Sequence, residues 1–255
     1  MGKYDLIIVG GGASGLMAAG HAAENGLKVL VLEKMTQAGR KLSITGKGRC
    51  NLTNEVDVHD FIEQVRPDGR FLRSAFSQFY NTELIDLMNR IGIKTKLERG
   101  GRHFPENDSA PDVTKKMIQW CENNRVKFIR NFRVNRIITA KTNRNGEDIV
   151  KCKGVQGMFL NDKIVQSFDA DYILISTGGL SYPATGSDGD GYRMLKQLGH
   201  SVSSCLPSLV PLEMDDKLTK QLLGLELKNV RADVLERGEI LASEFGELFF
   251  IKTGL

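Results

Sequence analysis

An α/β fold with a doubly wound, mostly parallel sheet is predicted by three features of this 255-residue sequence. The first is the apolar run Tyr4-Asp5-Leu6-Ile7-Ile8-Val9, which is typical of a buried parallel strand. The second is a helical pattern of small and apolar residues from Ala13 to Asn25, which Gly26 ends. The third is a second apolar run from Lys28 to Leu32. Together these features predict a strand–helix–strand unit at the start of the chain.

The rest of the chain continues this pattern and changes in character near residue 200. Helices are predicted near residues 58–66, 69–80, 82–91 and 112–124, with short strands over 127–140, a β-meander over 149–168 and a strand over 172–175. Beyond residue 225 the pattern is mostly β, with candidate strands at 225–230, 232–235 and 248–251. We therefore expect a first domain over residues 1–198 and the start of a β-rich substrate domain over 199–255.

Composition and charge limit the class of protein. Hydrophobic residues make up 41% and charged residues 26% of the chain, as in ordinary soluble domains. No apolar run approaches the roughly 18 residues of a membrane span, so no membrane association is expected. The four cysteines form no CxxC pair, which argues against a metal site and favours a reducing, cytoplasmic setting. A net charge of +4 is too modest to predict nucleic acid as a partner.

A glycine-rich turn joins the first predicted strand to the first predicted helix. The segment Gly10-Gly11-Gly12-Ala13-Ser14-Gly15 matches the pattern G-x-G-x-x-G in the context that makes such a match specific. Gly10 permits a tight turn, Gly12 lets the backbone approach a pyrophosphate, and Gly15 lets the helix pack on the strand. The helix N-terminus at Ala13-Ser14 offers backbone N–H groups to the phosphates. The turn therefore predicts a dinucleotide site.

A carboxylate and a late strand narrow the choice of dinucleotide. Glu33 ends the second strand, where a carboxylate can accept hydrogen bonds from both hydroxyls of an adenosine ribose and repels a 2′-phosphate. These features alone allow NAD or FAD. The strand that ends in Ser176-Thr177-Gly178-Gly179 favours FAD, because FAD domains of the glutathione-reductase type return to the cofactor through a late strand with a Thr-Gly turn. We therefore expect a Rossmann-type FAD-binding domain.

Four stretches of the sequence resemble a family of bacterial flavoenzymes. They are Asp5 to Lys34, Gly39 to Asn54, Phe104 to Ala110, and Thr177 to Tyr192. The Gly-Arg-Cys-Asn and Gly-Gly-Leu-Ser-Tyr-Pro motifs within them are similar to those of the NAD(P)/FAD-dependent oxidoreductases of the BaiN/YhiN type, some of which are called aminoacetone oxidases. Members of that family continue beyond the point where this sequence stops, so the resemblance implies a chain truncated at its C-terminal end.

The resemblance implies which residues lie at the FAD. Besides the glycine-rich turn and Glu33, they are Lys34, Arg40, Lys41, Asn51, Val134 through its backbone, Thr177 and Gly178. Fixed cations beside a pyrophosphate gain charge-assisted hydrogen bonds, which agrees with the two basic residues at positions 40 and 41.

No residue is assigned a catalytic role from the sequence. Arg49 could lower the pKa of Cys50, but no second cysteine lies nearby to form a disulfide, so we predict a packing role for Cys50. His103 is interpreted as structural. Tyr182 precedes Pro183, which predicts a rigid turn whose phenol could face the flavin.

The predicted activity is flavin-dependent oxidation or reduction of a small organic molecule. No second glycine fingerprint follows a strand, so NAD(P)H is expected to bind only transiently. One alternative is a flavoenzyme that modifies tRNA through a basic stripe formed by Arg125, Lys127, Arg130, Arg133 and Arg136. The other is a non-catalytic binding module in which FAD is structural.

Overall fold

The structure is a computed structural model that describes residues 2–144, 147–207, 210–213, 216–252 and 254. The chain divides into two compact units, one up to Ser203 and one from Ser204 onward. The substrate-binding role of the second unit stays a prediction.

The first unit contains the elements of the predicted α/β fold. Its strands are β1 (Tyr4–Val9), β2 (Val29–Leu32), β3 (Thr53–Asn54), β4 (Thr95–Glu98), β5 (Arg102–Pro105), β6 (Lys127–Ile129), β7 (Phe132–Arg144), β8 (Glu147–Phe159) and β9 (Val165–Ile175). Its α-helices are α1 (Ala13–Glu24), α2 (Val58–Gln64), α3 (Arg73–Phe76), α4 (Asn81–Arg90), α5 (Ala110–Asn123) and α6 (Asp190–Gln197). Shorter 3-10 helices lie at Leu42–Gly48, Gly69–Leu72 and Pro183–Thr185.

The main sheet has the strand order β6-β2-β1-β9-β8-β7. Strands β6, β2, β1 and β9 are parallel, whereas β8 is antiparallel to both β9 and β7. Ile8 of β1 is aligned with Val31 of β2 on one side and Leu174 of β9 on the other. The glycine-rich turn after β1 therefore lies at the same sheet edge as the ends of β2 and β9, and the predicted Rossmann-type fold is confirmed.

Alternate residues of β1 pack into two separate hydrophobic clusters. Ile8 packs in a cluster with Leu16 of α1 and Val113 of α5. Ile7 packs in a second cluster with Phe132 of β7 and Met194 of α6. Because successive strand residues point to opposite sheet faces, both faces of the parallel sheet are covered, as in a doubly wound fold.

Several regions differ from the sequence prediction, among them the helix expected over 69–80, which is a 3-10 helix followed by the short helix α3. Residues 34–56 were expected to form a long loop, but they include a 3-10 helix and β3, which joins β5 and β4 in a small antiparallel sheet. The predicted strand over 172–175 is the end of the long strand β9. Residues 167–172 alternate between polar and apolar, which is itself a strand pattern, so the predicted strand continues back into the segment predicted as the end of the meander.

The second unit contains a helix and a long hairpin. Helix α7 (Asp216–Leu222) was not predicted, and the three candidate strands are replaced by β10 (Glu226–Glu236) paired with β11 (Glu239–Phe249). Arg237 and Gly238 join the strands, both with positive φ, as a two-residue hairpin turn commonly requires. Among the described residues of both units, no helix is long and apolar enough to cross a membrane.

Candidate functional site

A cavity of about 550 Å³ lies where β1, β2 and β9 end. The predicted site residues that line it are Gly10, Gly12, Ala13, Ser14, Glu33, Lys34, Arg40, Lys41, Asn51, Val134, Thr177 and Gly178. Gly15 is buried and is not among the lining residues. The fold thus brings together residues that are far apart in the sequence, with Gly15 in a packing position.

The glycines of the turn differ in how much space surrounds them. A Cβ on Gly10 would lie 2.6 Å from the carbonyl oxygen of Ser176, and a Cβ on Gly15 would lie 2.0 Å from the carbonyl oxygen of Gly10. A Cβ on Gly12 would have no protein atom within 4 Å, and its φ of −77° is open to any residue. The protein alone therefore gives no reason for glycine at position 12. The bare backbone at the N-terminus of α1 fits the close approach of a phosphate group.

Glu33 is held by backbone donors on both of its oxygens. The N–H of Gly11 donates to Oε2 and the N–H of Met35 donates to Oε1, each at 2.8 Å. The residue is only 8% exposed, so these bonds fix the carboxylate in the cavity wall. Each carboxylate oxygen can accept more than one hydrogen bond, which leaves capacity for the hydroxyls of a ribose.

Lys34 is engaged by a cluster of charged residues that the sequence analysis did not assign. Its Nζ lies 2.5 Å from Asp188 and 2.7 Å from Asp190, and Arg133 donates to the same Asp190 carboxylate at 2.6 Å. Arg193 also pairs with Asp190. Burial disfavours the charge of Asp190, but hydrogen bonds from Lys34 and Arg133 outweigh it and hold the pKa well below its ordinary range.

This cluster changes the interpretation of Lys34. Two carboxylates already pair with its ammonium group. Lys34 and Arg133 are therefore structural parts of the cavity wall, and their charge is not available to a ligand in the way that an unpaired cation's would be. The repeat Asp188-Gly189-Asp190-Gly191 within the fourth resembling stretch was the available sequence signal.

Two other cations that line the cavity keep their charge uncompensated. Within the described part of the chain, neither Arg40 nor Lys41 pairs with a carboxylate, and the Asn51 amide has no hydrogen-bond partner. Gly39 donates its N–H to the carbonyl of Gly11 at 2.7 Å, which places Arg40 beside the glycine-rich turn. The helix N-terminus and the unpaired guanidinium of Arg40 beside it form a donor set that suits a pyrophosphate.

Cys50 lines the cavity but has no activating cation. It is 1% exposed, and burial raises the pKa of its thiol to about 11. The neighbouring Arg49 donates instead to Asp108 at 2.9 and 2.7 Å and pairs with Glu98. Its guanidinium also stacks on Phe104, 4.2 Å from the ring centroid. The thiol is thus suited to packing more than to redox chemistry.

His103 and Tyr182 occupy different environments. His103 lies in β5, outside the residues that line the cavity, with Nε2 3.1 Å from Glu55. Tyr182 precedes the turn Pro183–Thr185 and is 56% exposed, next to residues 185–187 of the cavity wall. Tyr182 is therefore the better placed of the two to meet a ligand.

This fold and this cavity define a protein of the Rossmann-type dinucleotide-binding class. Within that class, the chain belongs to the family described as the HI0933-like protein Rossmann domain, whose model matches residues 4–251.

Comparison with individual proteins agrees with this assignment. The chain is 31% identical to the 3-dehydro-bile acid delta(4,6)-reductase of Clostridium scindens over 251 residues, which are 97% of this chain and 56% of that protein. It is 29% identical to the ribosomal RNA dihydrouridine synthase of Escherichia coli over 87% of this chain and 51% of that protein. The chain thus spans about half the length of these curated relatives.

Among solved structures, the chain resembles the 3-ketosteroid-delta4-(5alpha)-dehydrogenase of Rhodococcus jostii RHA1. The TM-score is 0.54 at 15% identity, and the match covers 71% of this chain and 47% of that one. At this identity the likeness supports the fold alone.

Proposed function

We propose that this chain forms the FAD-binding part of an enzyme that reduces a carbon–carbon double bond conjugated to a carbonyl group. The observation that carries the proposal is the cavity, in which an unconstrained Gly12, the fixed carboxylate of Glu33 and the unpaired Arg40 match the parts of FAD. The substrate class comes from the relatives. A delta(4,6)-reductase and a dihydrouridine synthase bear names that both denote hydrogenation of a ring double bond.

Each part of the cavity would hold a different part of FAD. The N–H groups at Ala13-Ser14 and the charge of Arg40 would bind the pyrophosphate, and Glu33 would bind the adenosine ribose. Val134 would contact the adenine through its backbone, and Thr177 and Gly178 would pack against the remainder of the cofactor. When bound, FAD supplies hydride transfer.

Part of the cavity wall is apolar. Its lining side chains include Met17, Leu42, Leu52, Leu84, Met88 and Met117. Apolar walls exclude water from the site, which strengthens the hydrogen bonds made inside it and protects a reduced cofactor from side reactions. We therefore propose that the polar lining residues bind the dinucleotide and that the apolar ones exclude water from the flavin ring.

The first experiment measures cofactor binding and then turnover of one electron pair. The purified chain is titrated with FAD, photoreduced without oxygen and mixed with 4-androstene-3,17-dione or with its saturated analogue, 5α-androstane-3,17-dione. We expect the unsaturated ketone to restore the oxidised flavin spectrum and the saturated ketone to leave it unchanged. Failure to bind FAD, or equal reoxidation by both ketones, would disprove the proposal.

RNA is a second candidate substrate, because the Escherichia coli relative is a ribosomal RNA dihydrouridine synthase. Uracil is itself an unsaturated carbonyl compound, so the same chemistry applies. The predicted basic stripe is only partly available, however: Arg133 pairs with Asp190, Arg136 donates to Gln156, and Arg130 lies 3.8 Å from Glu122. Reoxidation of the reduced protein by a uridine-containing ribosomal RNA fragment, weakened steeply by salt, would favour RNA.

The source of electrons and the non-catalytic alternative share one test. We propose that NAD(P)H binds transiently, so mixing the FAD-loaded protein with NADH or NADPH in a stopped-flow instrument should bleach the flavin. If neither nicotinamide nor any unsaturated carbonyl compound exchanges electrons with the bound flavin, the chain is better described as a module in which FAD is structural.

A further inference from the structure

Two loops of the first unit meet beside the cavity. The Nζ atom of Lys41 lies 3.4 Å from the hydroxyl oxygen of Ser181 and 5.6 Å from the centroid of the Tyr182 ring. We propose that Lys41, Ser181 and Tyr182 form a subsite for the carbonyl oxygen of the substrate, an inference that rests on the proposed function. This departs from the expectation that Lys41 contacts FAD.

The distribution of charge in the cavity supports this assignment. Lys34, Arg133 and Arg193 share the carboxylates of Asp188 and Asp190. Lys41, by contrast, has no carboxylate partner within the described residues. The Lys41 ammonium donates one hydrogen bond, to the Ser181 hydroxyl, and its two other N–H donors have no partner among the described residues. When hydride adds to the β-carbon of a conjugated ketone, the carbonyl oxygen carries the negative charge of the enolate until a proton from solvent water reaches the α-carbon. A fixed ammonium donor stabilises that oxygen.

Arg40 and Lys41 are adjacent in sequence but are held by different neighbours. The hydrogen bond from Gly39 to Gly11 keeps Arg40 near the glycine-rich turn. Lys41 instead reaches across to Ser181, on the loop that follows β9. The side chains of the two residues thus have different neighbours: Arg40 follows the residue bonded to the glycine-rich turn, and Lys41 donates to Ser181.

The turn after Tyr182 fixes the backbone that carries the phenol. The carbonyl of Tyr182 accepts hydrogen bonds from the N–H of Thr185 at 3.0 Å, the hydroxyl of Thr185 at 2.8 Å and the N–H of Ser187 at 3.3 Å. The side chain is nevertheless 56% exposed, and its hydroxyl has no hydrogen-bond partner in the described part of the structure. A rigid backbone with an available phenol is a suitable second donor to a substrate oxygen.

Exposed apolar side chains on the same two loops indicate the kind of molecule. Ile44 follows Lys41 and is 52% exposed, and Leu180 precedes Ser181 and is 50% exposed. A flat, apolar ring system would cover these side chains while its carbonyl oxygen meets Lys41. The subsite therefore favours a small alicyclic or aromatic enone, since a charged ribose–phosphate chain would gain little from apolar contacts.

The test is the affinity of FAD-loaded variants for 4-androstene-3,17-dione, measured by equilibrium dialysis. We expect Lys41→Met to weaken binding about tenfold and Tyr182→Phe about threefold, as the loss of hydrogen bonds to a substrate oxygen predicts. Lys41→Arg should restore binding to within about threefold of wild type, because it keeps the charge. The matched control is Lys28→Met, which removes a similar lysine–aromatic contact, 4.9 Å from the Tyr4 centroid, at the opposite ends of the strands.

The affinity of the same variants for FAD completes the test. Lys41→Met should bind FAD within about twofold of wild type, well under the tenfold change that 1.4 kcal/mol represents. Wild-type affinity for the steroid in Lys41→Met, or a loss of FAD binding in that variant, overturns the inference and leaves the proposed function standing. A wild-type protein that neither binds the steroid nor is reoxidised by it overturns both.

Discussion

Glu33 and Gly11 are joined by a hydrogen bond of 2.8 Å from the Gly11 N–H to the Glu33 carboxylate. The bond ties the end of β2 to the middle of the glycine-rich turn after β1. Glu33, which is predicted to bind a ribose, thus also holds the turn that is proposed to bind the phosphates. The two halves of the proposed dinucleotide site therefore depend on one side chain.

Substitution of Glu33 should therefore affect both cofactor binding and stability. We expect Glu33→Ala to weaken FAD binding by about 1.5–3 kcal/mol, the usual value for hydrogen bonds to a charged group. The free energy of unfolding of the apoprotein should also fall by about 1–3 kcal/mol, because buried N–H groups lose their acceptor. Glu33→Gln keeps one acceptor oxygen and should unfold in urea at a concentration between those of the other two proteins. Unchanged FAD affinity in both variants would remove Glu33 from the site.

Two glycines of the turn offer a matched pair of substitutions. Gly12→Ala places a methyl group where no protein atom lies within 4 Å. The free energy of unfolding of the apoprotein should therefore fall by less than about 1 kcal/mol, mainly because alanine is a poorer N-cap residue for α1 than glycine. The same methyl group should weaken FAD binding at least about tenfold, or 1.4 kcal/mol.

Gly15→Ala should behave in the opposite way. Its Cβ would lie 2.0 Å from the Gly10 carbonyl oxygen, and overpacking of this kind costs about 1–3 kcal/mol or more. Urea unfolding of the two apoproteins compares their stabilities, and titration of each with FAD compares their affinities for the cofactor. Equal destabilisation by the two substitutions would contradict the assignment of separate roles.

Cys50 is expected to take no part in the reaction of the flavin. With a thiol pKa of about 11, little thiolate is present at neutral pH. Cys50→Ser should keep the rate of flavin reduction within about tenfold of wild type, or less than roughly 1.4 kcal/mol in the barrier. Stopped-flow reduction of the two proteins by one donor measures this, and a thousandfold loss would return the thiol to the mechanism.

The Asp190 cluster should give the fold a dependence on acid pH. The pKa of Asp190 is lowered from its ordinary value of 3.8, so its contribution to stability is complete above that value and is lost as the pH falls below it. Asp190→Asn should lower the free energy of unfolding by about 2–3 kcal/mol at neutral pH, because Lys34 loses a buried partner.

Urea unfolding between neutral and acid pH would test this, since the difference between wild type and Asp190→Asn should shrink towards low pH. Asp171→Asn is the control, because it removes an exposed pair with Lys3 and should have a much smaller effect. A constant difference across the acid range would show that the cluster does not act through the charge of Asp190.

The first strand–helix–strand unit was readily predictable from the sequence. Its apolar runs are continuous, its glycines stand in register, and Gly26 ends the helix one residue beyond its cap at Asn25. Such local signals need no knowledge of distant contacts, which explains why β1, α1 and β2 agree with the prediction to within about one residue.

The charged cluster and the 3-10 helix were not predictable in the same way. Lys34 and Asp190 are 156 residues apart in the sequence, so no local pattern indicates that one neutralises the other. None of residues 42–48 is buried, and the backbone is left-handed at Gly46 and Lys47. The segment therefore has no helical pattern of apolar residues that a sequence analysis could detect. The role of Lys34 thus depended on a tertiary contact that only the fold creates.

The burial of Cys50 has a consequence for how the protein moves. Alkylating reagents attack thiolates, and Cys50 offers neither accessible surface nor a lowered pKa, so its modification must await a transient opening of the cavity wall. Cys205 is exposed and provides an internal reference for reagent reactivity. The ratio of the two labelling rates therefore measures how often the cavity wall opens, and a ligand that holds the wall closed would slow labelling at Cys50 alone.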